Sequence, residues 1–418
     1  MEVVKFNSHL LKSSLTNDEK PTSKLKEIPI NISSSVTQAS FSQTKLIGEY
    51  VVDKKFTDHF QQLKQVFMYI TDKCNIECEQ CIYKPSINHY INEEIPLDDA
   101  LALLETFQAL GATKVTFLGG EPTLYGHREK RKPLLKLIKE TKKMGYEYVR
   151  LDSNGQAISR LLPEADFQNL DEIAFSLDGF STETNDMLRG KGTFPKVIES
   201  IKQAIDIGYR VTVTCCVHKL LLTRDENDIY LIEKMIRFVE DLGVYQINFH
   251  DLFKAGVPMD TWTGNFDTTP EEWVVMYDEM SEKIFNNNFD IDIRLPQCFI
   301  TQEKFDSNAE FFGYCPVKLG ERVMVHPNGV IRICSNLICT GFGAARYENR
   351  NIKWDDTHNN EIAGHELDKN TPCTNRSRHK KYGKLVPLCF SFKPDQNEHV
   401  WKNKLEWDDN KNSGNPDV

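Results

Sequence analysis

Three cysteines crowd one short stretch, Tyr69–Tyr83 (YITDKCNIECEQCIY): Cys74, Cys78 and Cys81, in a C-x3-C-x2-C spacing. Three thiolates on one loop can hold a soft metal centre. They do not complete a tetrahedral zinc site, and they leave one iron of a 4Fe–4S cube without a protein ligand. An open iron can take a cofactor or a substrate. Read alone, the spacing also fits a structural zinc knuckle or unrelated thiols.

The elements that must position this loop follow from the residue pattern. Strand-like runs occur at Val66–Thr71, Lys114–Leu118, Tyr148–Asp152, Glu172–Leu177, Tyr209–Val217 and Tyr245–Phe249. Helical periodicity fills the intervals, at Leu97–Leu110, Pro133–Met144, Thr193–Ile207 and Ile229–Leu242, with a short helix expected at Ile158–Leu162. Gly208 and Gly243 stand where helices stop. Strands alternating with helices predict an α/β fold with a parallel sheet and right-handed crossovers. A curled six-unit sheet, a partial (β/α)6 TIM-like barrel, carries its chemistry at the strands' C-terminal ends. The three-cysteine loop follows the first strand and so reaches that mouth. A doubly wound sheet is disfavoured because its first turn would carry a Gly-rich phosphate fingerprint, and none is present.

Other residues with chemistry to offer end later strands. Gly119-Gly120-Glu121-Pro122 follows the second: two glycines admit close backbone approach, and the carboxylate can accept from an ammonium group. Ser153-Asn154-Gly155 ends the third and Ser176-Leu177-Asp178-Gly179 the fourth. Short polar groups there suit a ribose or a carboxylate, although Asn-Gly and Asp-Gly also serve ordinary turns. Cys215 and Cys216 are adjacent on the fifth strand, so at most one faces the interior. Both read as small buried hydrophobes, or the inward one as a hydrogen-atom or proton donor.

The cysteine spacing, GGEP and the run Ser176–Phe194 (SLDGFSTETNDMLRGKGTF) together resemble the radical S-adenosylmethionine (SAM) superfamily, in the subgroup with a C-terminal SPASM- or twitch-like cluster domain. The resemblance implies a 4Fe–4S cluster on Cys74, Cys78 and Cys81, with SAM on the fourth iron. It implies that Gly119, Gly120 and Glu121 hold the methionine amino group and that Arg189 pairs with the carboxylate, a task its bidentate fork suits. Ser153, Asn154, Ser176 and Asp178 would lie near ribose and substrate. The family's aromatic residue before the third cysteine is replaced by Gln80, so adenine contact falls to Tyr83 or to backbone. The implied chemistry is reductive cleavage of SAM to a 5′-deoxyadenosyl radical, which takes hydrogen from an unactivated carbon.

After about residue 296 the composition changes, with Cys298, Cys315, Cys334, Cys339, Cys373 and Cys389 scattered among Gly, Asn and Pro. Pro270–Asn286 reads as a helix, Phe289–Leu295 as an edge strand and His326–Cys334 as a hairpin. Gly329 stands five residues before Cys334, which resembles the opening of a SPASM or twitch domain, although the compact cysteine run that completes that pattern is missing. The expected ligands of a second 4Fe–4S cluster are Cys315, Cys334, Cys373 and Cys389, with Cys298 or Cys339 as substitutes and zinc as the other metal.

The chain of 418 residues divides into residues 1–60, a polar extension with one short strand near Ile28–Ile32; 61–296, the barrel; 297–395, the cluster domain; and 396–418, a charged tail. A net charge of −10 argues against general nucleic-acid binding. No run reaches the roughly 18 apolar residues of a membrane span, and no secretory signal opens the chain. Eleven cysteines then point to metal chemistry in a reducing, cytoplasmic setting. The resemblance also implies a reducing partner such as flavodoxin or ferredoxin. Its subgroup favours a ribosomally made peptide as substrate (crosslink, epimerisation or oxidation). Residues 1–43 are too polar for a winged-helix peptide-recognition domain, which keeps a sugar-like or amino-acid metabolite open. A non-catalytic iron–sulfur or zinc interaction protein is the third reading, weakened by GGEP and Arg189.

Overall fold

The computed structural model describes residues 44–81, 93–252, 266, 268–286, 288–313, 319–335, 343–355 and 384–389. The strand expected near Ile28–Ile32 lies outside them. All belong to one compact unit, Phe41–Val418.

A hairpin of β1 (Thr44–Ile47) and β2 (Tyr50–Asp53) leads through α1 (Lys54–His59) into β3 (Gln65–Thr71). Then alternate α2 (Leu97–Ala109), β4 (Lys114–Gly119), α3 (Lys132–Lys143), β5 (Tyr148–Ser153) and β6 (Glu172–Ser176). Two helices, α4 (Thr182–Arg189) and α5 (Thr193–Ile207), precede β7 (Val211–Val217), α6 (Leu231–Asp241), β8 (Gln246–Asp251), α7 (Pro270–Phe285) and β9 (Asp292–Arg294). Strands β3 to β9 pair in chain order, every neighbour parallel. The six expected strands are all present, within one or two residues at each end. Two expectations fail locally. Ile158–Leu162 forms hydrogen-bonded turns followed by a 3₁₀ turn at Phe167–Asn169, because Pro163 follows too soon for a helix to propagate. Helix α4 has no long apolar stripe to announce it. It starts at a capping box, with Ser181 accepting from the Thr184 N–H.

After β10 (Phe299–Thr301) the chain returns to the same sheet. Strand β11 (Arg322–Val325) runs parallel beside β3, and β12 (Val330–Arg332), β13 (Ala345–Glu348) and β14 (Asn351–Trp354) continue antiparallel until β14 meets β2. The expected hairpin at 326–334 is β11–β12, its turn closed by Gly329 at φ +79. Residues expected in a separate C-terminal domain thus extend the barrel's own sheet. Strand β15 (Leu385–Pro387) pairs with β10 in a two-stranded ribbon.

Alternation along the strands sorts side chains into two environments. Val211, Val213, Cys215 and Val217 of β7, with Ile173 and Phe175 of β6 and Ile247 and Phe249 of β8, pack into the core cluster under the helices. Their neighbours face the lumen and, Ala174 of β6 apart, are polar: Glu172 and Ser176; Thr212, Thr214 and Cys216; Gln246, Asn248 and His250. The sheet's curl brings side chains of separated strands together, so that His250 of β8 feels the charge of Arg150 on β5. Deep in the lumen Arg150 meets Asp152 at 2.6 Å and Glu172 at 3.0 Å, and Arg210 meets Glu172 at 3.2 Å. These charges are tolerable because they neutralise one another. Removing one partner strands the rest: Arg150→Ala should lower the unfolding free energy by about 3–5 kcal/mol in denaturant titration at pH 7.

Candidate active site

Two glycines bring the three-cysteine loop to the mouth. Gly120 N–H donates to the Thr71 carbonyl at 2.8 Å, and Glu121 N–H donates to that of Lys73 at 2.6 Å. A Cβ at Gly119 would stand 2.2 Å from the Thr71 carbonyl oxygen, and one at Gly120 would stand 2.3 Å from that of Lys73. The close approach anticipated for a ligand is therefore first made by the stem of the cysteine loop. Cys74, Cys78 and Cys81 are all half-buried on this loop.

Glu121, 1% exposed, closes the next contact. Its Oε1 accepts from Thr123 N–H (3.1 Å), Thr123 Oγ1 (2.6 Å) and Ser153 Oγ (2.9 Å), and its Oε2 accepts from Asn154 N–H (2.7 Å). Burial pushes this carboxyl upward, and those donors pull against it. With one donor on it, Oε2 keeps acceptor capacity for an incoming ammonium group. The Asn154 amide reaches Asn75 Oδ1 at 2.8 Å and Cys74 Sγ at 3.8 Å. Ser153 and Asn154 thereby join the end of β5 to the loop.

On the other side Asp178, fully buried, gathers three partners. Its Oδ2 accepts from Gln80 Nε2 at 2.5 Å and forms an ion pair with Arg189 Nε at 2.7 Å, and its Oδ1 accepts from Cys216 N–H at 2.7 Å. Arg189 ends α4, and the preceding Leu188 carbonyl accepts from Glu79 N–H at 2.8 Å, which ties the helix to the cysteine loop. Gln80, standing where an aromatic was expected, is a hydrogen-bonding bridge from that loop to β6. Tyr83 lies outside the described residues.

Cys216 faces the lumen, half-buried, within electrostatic reach of Asp178, Arg189, Cys78 and Cys81. Burial, reinforced by Asp178, raises its thiol well above the ordinary value and keeps it protonated. Cys215 faces the helical layer instead and is wholly buried. His250 is the strand-to-strand partner of Cys216. It is exposed to the lumen yet walled by protein; burial and Arg150 lower its pKa to about 4, opposed by Asp178. The sequence carried a signal for this wall in the polar alternation of Thr212, Thr214, Cys216 and Gln246, Asn248, His250, which the cysteine pair obscured.

No three His, Cys, Asp or Glu side chains among the described residues converge as ligands of one ion. The cysteine loop is instead open, with an amide donor at Cys74 and the Arg189 guanidinium near Cys78. Such donors and cations suit an anionic iron–sulfur cluster, whose sulfurs accept hydrogen bonds. Of the second set, Cys334 follows β12, half-buried, and Cys389 is buried just after β15, where Leu388 N–H donates to the Cys298 carbonyl at 2.8 Å. Cys315, Cys339 and Cys373 lie outside the described residues.

Comparison with known proteins decides the family of this centre. The model of the radical SAM superfamily matches residues 68–239. Those residues are a radical SAM domain. Similar curated proteins include a probable GTP 3′,8-cyclase of Saccharolobus islandicus, 26% identical over 65% of this chain and 82% of that protein. A probable GTP 3′,8-cyclase of Saccharolobus solfataricus is 29% identical over 47% of this chain and 59% of that protein. Among solved structures, Streptococcus suis SuiB bound to precursor peptide SuiA matches at TM-score 0.54 and 14% identity, covering 74% of this chain and 69% of that one. Native anSMEcpe with bound AdoMet matches at TM-score 0.51 and 18% identity, covering 68% and 77%. The fold is the radical SAM fold, and the chain is a radical SAM enzyme. Such a domain implies one 4Fe–4S cluster and SAM. No helix among the described residues is long and apolar enough to cross a membrane.

Two tests follow from the geometry. Glu121→Ala leaves buried donors of Thr123, Ser153 and Asn154 unpaired, so it should cost about 1–3 kcal/mol in denaturant unfolding of the metal-free protein. The His250 pKa lies below the ordinary 6.5, so the unfolded chain binds the proton first and His250 costs stability as pH falls from about 6.5 to about 4. His250→Asn should therefore lose less unfolding midpoint than the parent between pH 7 and pH 5; equal losses would show that His250 does not supply the slope.

Proposed function

We propose that the enzyme abstracts hydrogen from an unactivated C–H of a small polar metabolite seated in the lumen. The observation that carries this reading is the half-buried cysteine loop at the mouth, with the protonated Cys216 thiol in its electrostatic reach. In this reading Cys74, Cys78 and Cys81 hold the cluster, the free acceptor position on Glu121 Oε2 takes the SAM ammonium, and Arg189 takes the carboxylate. Gly119 and Gly120 hold the backbone that aims Glu121. Ser153 and Asn154 fix the β5 end, Ser176 would stand toward ribose and substrate, and the buried Asp178, its oxygens taken by Gln80, Arg189 and Cys216, would position that side of the mouth. Bound SAM supplies, on reduction by a low-potential donor such as flavodoxin or ferredoxin, a carbon radical able to take the hydrogen. The chain positions the target bond and excludes water. Cys216, rather than the core-facing Cys215, is the side chain we assign to return a hydrogen atom where the product requires one.

A ribosomally made peptide was the leading substrate expected from the subgroup. Its support here is a likeness to SuiB at a level that speaks for fold alone. The similar curated proteins are named for a nucleotide, and the lumen carries hydroxyl, amide, thiol and imidazole groups beside its ion-paired charges. Both favour the small metabolite. A second 4Fe–4S cluster on Cys315, Cys334, Cys373 and Cys389 remains part of the proposal, with Cys298 beside the Cys389 segment as the alternate ligand.

Anaerobic reconstitution with iron and sulfide, followed by dithionite-driven turnover of SAM, tests the assignment. The expected outcome is 5′-deoxyadenosine with about eight irons per chain for two cubane clusters, or about four for one. Cys78→Ala should reduce 5′-deoxyadenosine to background. Unchanged SAM cleavage in that variant would remove the cluster from this loop.

A further inference from the structure

One stretch of the surface runs against the charge of the chain. The protein carries a net charge of −10, yet residues 127–136 (HREKRKPLLK) hold five cations, Arg128, Lys130, Arg131, Lys132 and Lys136, against one carboxylate, Glu129. The stretch is a 3₁₀ turn, His127–Glu129, that leads into the first turns of α3. Arg128, Lys130, Lys132 and Lys136 are exposed and have no ion-pair partner among the described residues. Farther along α3 the cations are answered: Lys139 meets Asp166 at 2.9 Å, Lys142 meets Asp171 at 2.8 Å and Lys143 meets Glu140 at 2.8 Å.

The unanswered cations stand where the backbone least favours them. A helix start is the positive end of its macrodipole, and α3 has no acidic residue in its first turn. Lys130 and Arg131 both take positive φ, 55 and 62, a region costly to non-glycine residues. The fold has no need of these choices: glycine or asparagine would serve the two strained positions, and an acidic residue the helix start. The turn is also tied to the cysteine loop. Glu94 Oε1 accepts from Gly126 N–H at 3.3 Å and pairs with Lys73 Nζ at 2.9 Å, and Lys73 directly precedes Cys74. Arg131 Nε donates to the Thr123 carbonyl at 2.8 Å, and the Thr123 hydroxyl bonds Glu121.

We propose that the turn at residues 127–132 and the start of α3 form the docking surface for an acidic, one-electron carrier protein. This rests on reading the cysteine loop as the cluster site and names the face through which that site is reduced. Two acidic proteins repel as wholes, but charge in solution acts over a Debye length of roughly 8 Å at physiological ionic strength. A local cationic patch therefore decides where they meet. The exposed charge on the cysteine loop itself, Glu77, is negative, so the attraction has to come from beside the loop. One electron leaves the carrier and one arrives at the cluster; no bond is made or broken at the surface. Nucleic acid, the other polyanion, would run beyond the patch into the negative remainder of the chain.

The test combines Arg128→Glu, Lys132→Glu and Lys136→Glu in one full-length variant, with Lys132→Arg/Lys136→Arg as the charge-keeping control. Binding of flavodoxin and of a plant-type ferredoxin is measured before and after cluster reconstitution, and 5′-deoxyadenosine formation is driven by reduced carrier or by dithionite. The parent should bind at least one carrier, more weakly as salt rises from about 50 to about 300 mM. Charge reversal should lower both carrier affinity and carrier-driven turnover at least about tenfold. The arginine control should keep both, and dithionite-driven turnover should be equal in all three proteins. The proposal is overturned if reversal leaves carrier binding unchanged, if dithionite-driven turnover falls along with carrier-driven turnover, or if neither carrier binds the parent. Capture of a duplex oligonucleotide in place of both carriers overturns it as well. A parent that makes no 5′-deoxyadenosine with dithionite counts against the cluster reading, and the binding measurement then decides the surface alone.

Discussion

A single fully buried carboxylate, Asp178, fixes the relation between the cysteine loop and the barrel. It takes Gln80 from the loop, Arg189 from the end of α4 and the Cys216 amide from β7. Its own N–H donates to Asn185 of α4, and its carbonyl meets the His218 ring. A carboxylate in such a place is tolerable only with a cation and hydrogen-bond donors around it. Loss of any one of these contacts would unbalance the others, which makes the mouth of the barrel a coupled unit. The coupling also explains Gln80. A phenylalanine ring at that position could not donate to Asp178, so the loop would lose this link to the end of β6.

Glu121 provides the matching constraint from the opposite side. Its two oxygens connect the end of β4, the turn at Thr123 and the start of the Ser153-Asn154 turn. The cysteine loop is therefore gripped between two buried carboxylates, one reaching it through Asn154 and the other through Gln80. Neither carboxylate touches a thiol directly, as suits a loop meant for an anionic centre: amide donors and a guanidinium face the sulfurs, and the negative charges stand one residue behind.

Much of this was legible in the residue pattern because the controlling effects are local. The strand run Val66–Thr71 is a continuous apolar segment with a short polar end, Tyr148–Ser153 alternates apolar with polar residues, and C-x3-C-x2-C and GGEP are contiguous motifs. The return of β11 to pair with β3 was not legible, since parallel pairing across some 250 residues leaves no local mark. Helix α4 was hidden for a different reason. Its register depends on a capping box and on the Asp186 contacts to Gly192 and Phe194, not on an apolar stripe. Cys216 and His250 needed the strand register before they could be seen as neighbours.

The lumen's polarity bears on what kind of chemistry the barrel protects. An unpaired buried polar atom costs about 1–3 kcal/mol, against a net stability of about 5–15 kcal/mol for a typical domain. A barrel filled only for stability would place Val or Leu where Thr214 and Asn248 stand, as the opposite face of the same strands does with Val213, Cys215 and Ile247. The two faces of β7 and β8 thus obey different demands within a span of a few residues. The outward face is optimised for packing. The inward face retains hydrogen-bonding groups that the fold itself leaves unanswered, next to a thiol held protonated by its surroundings.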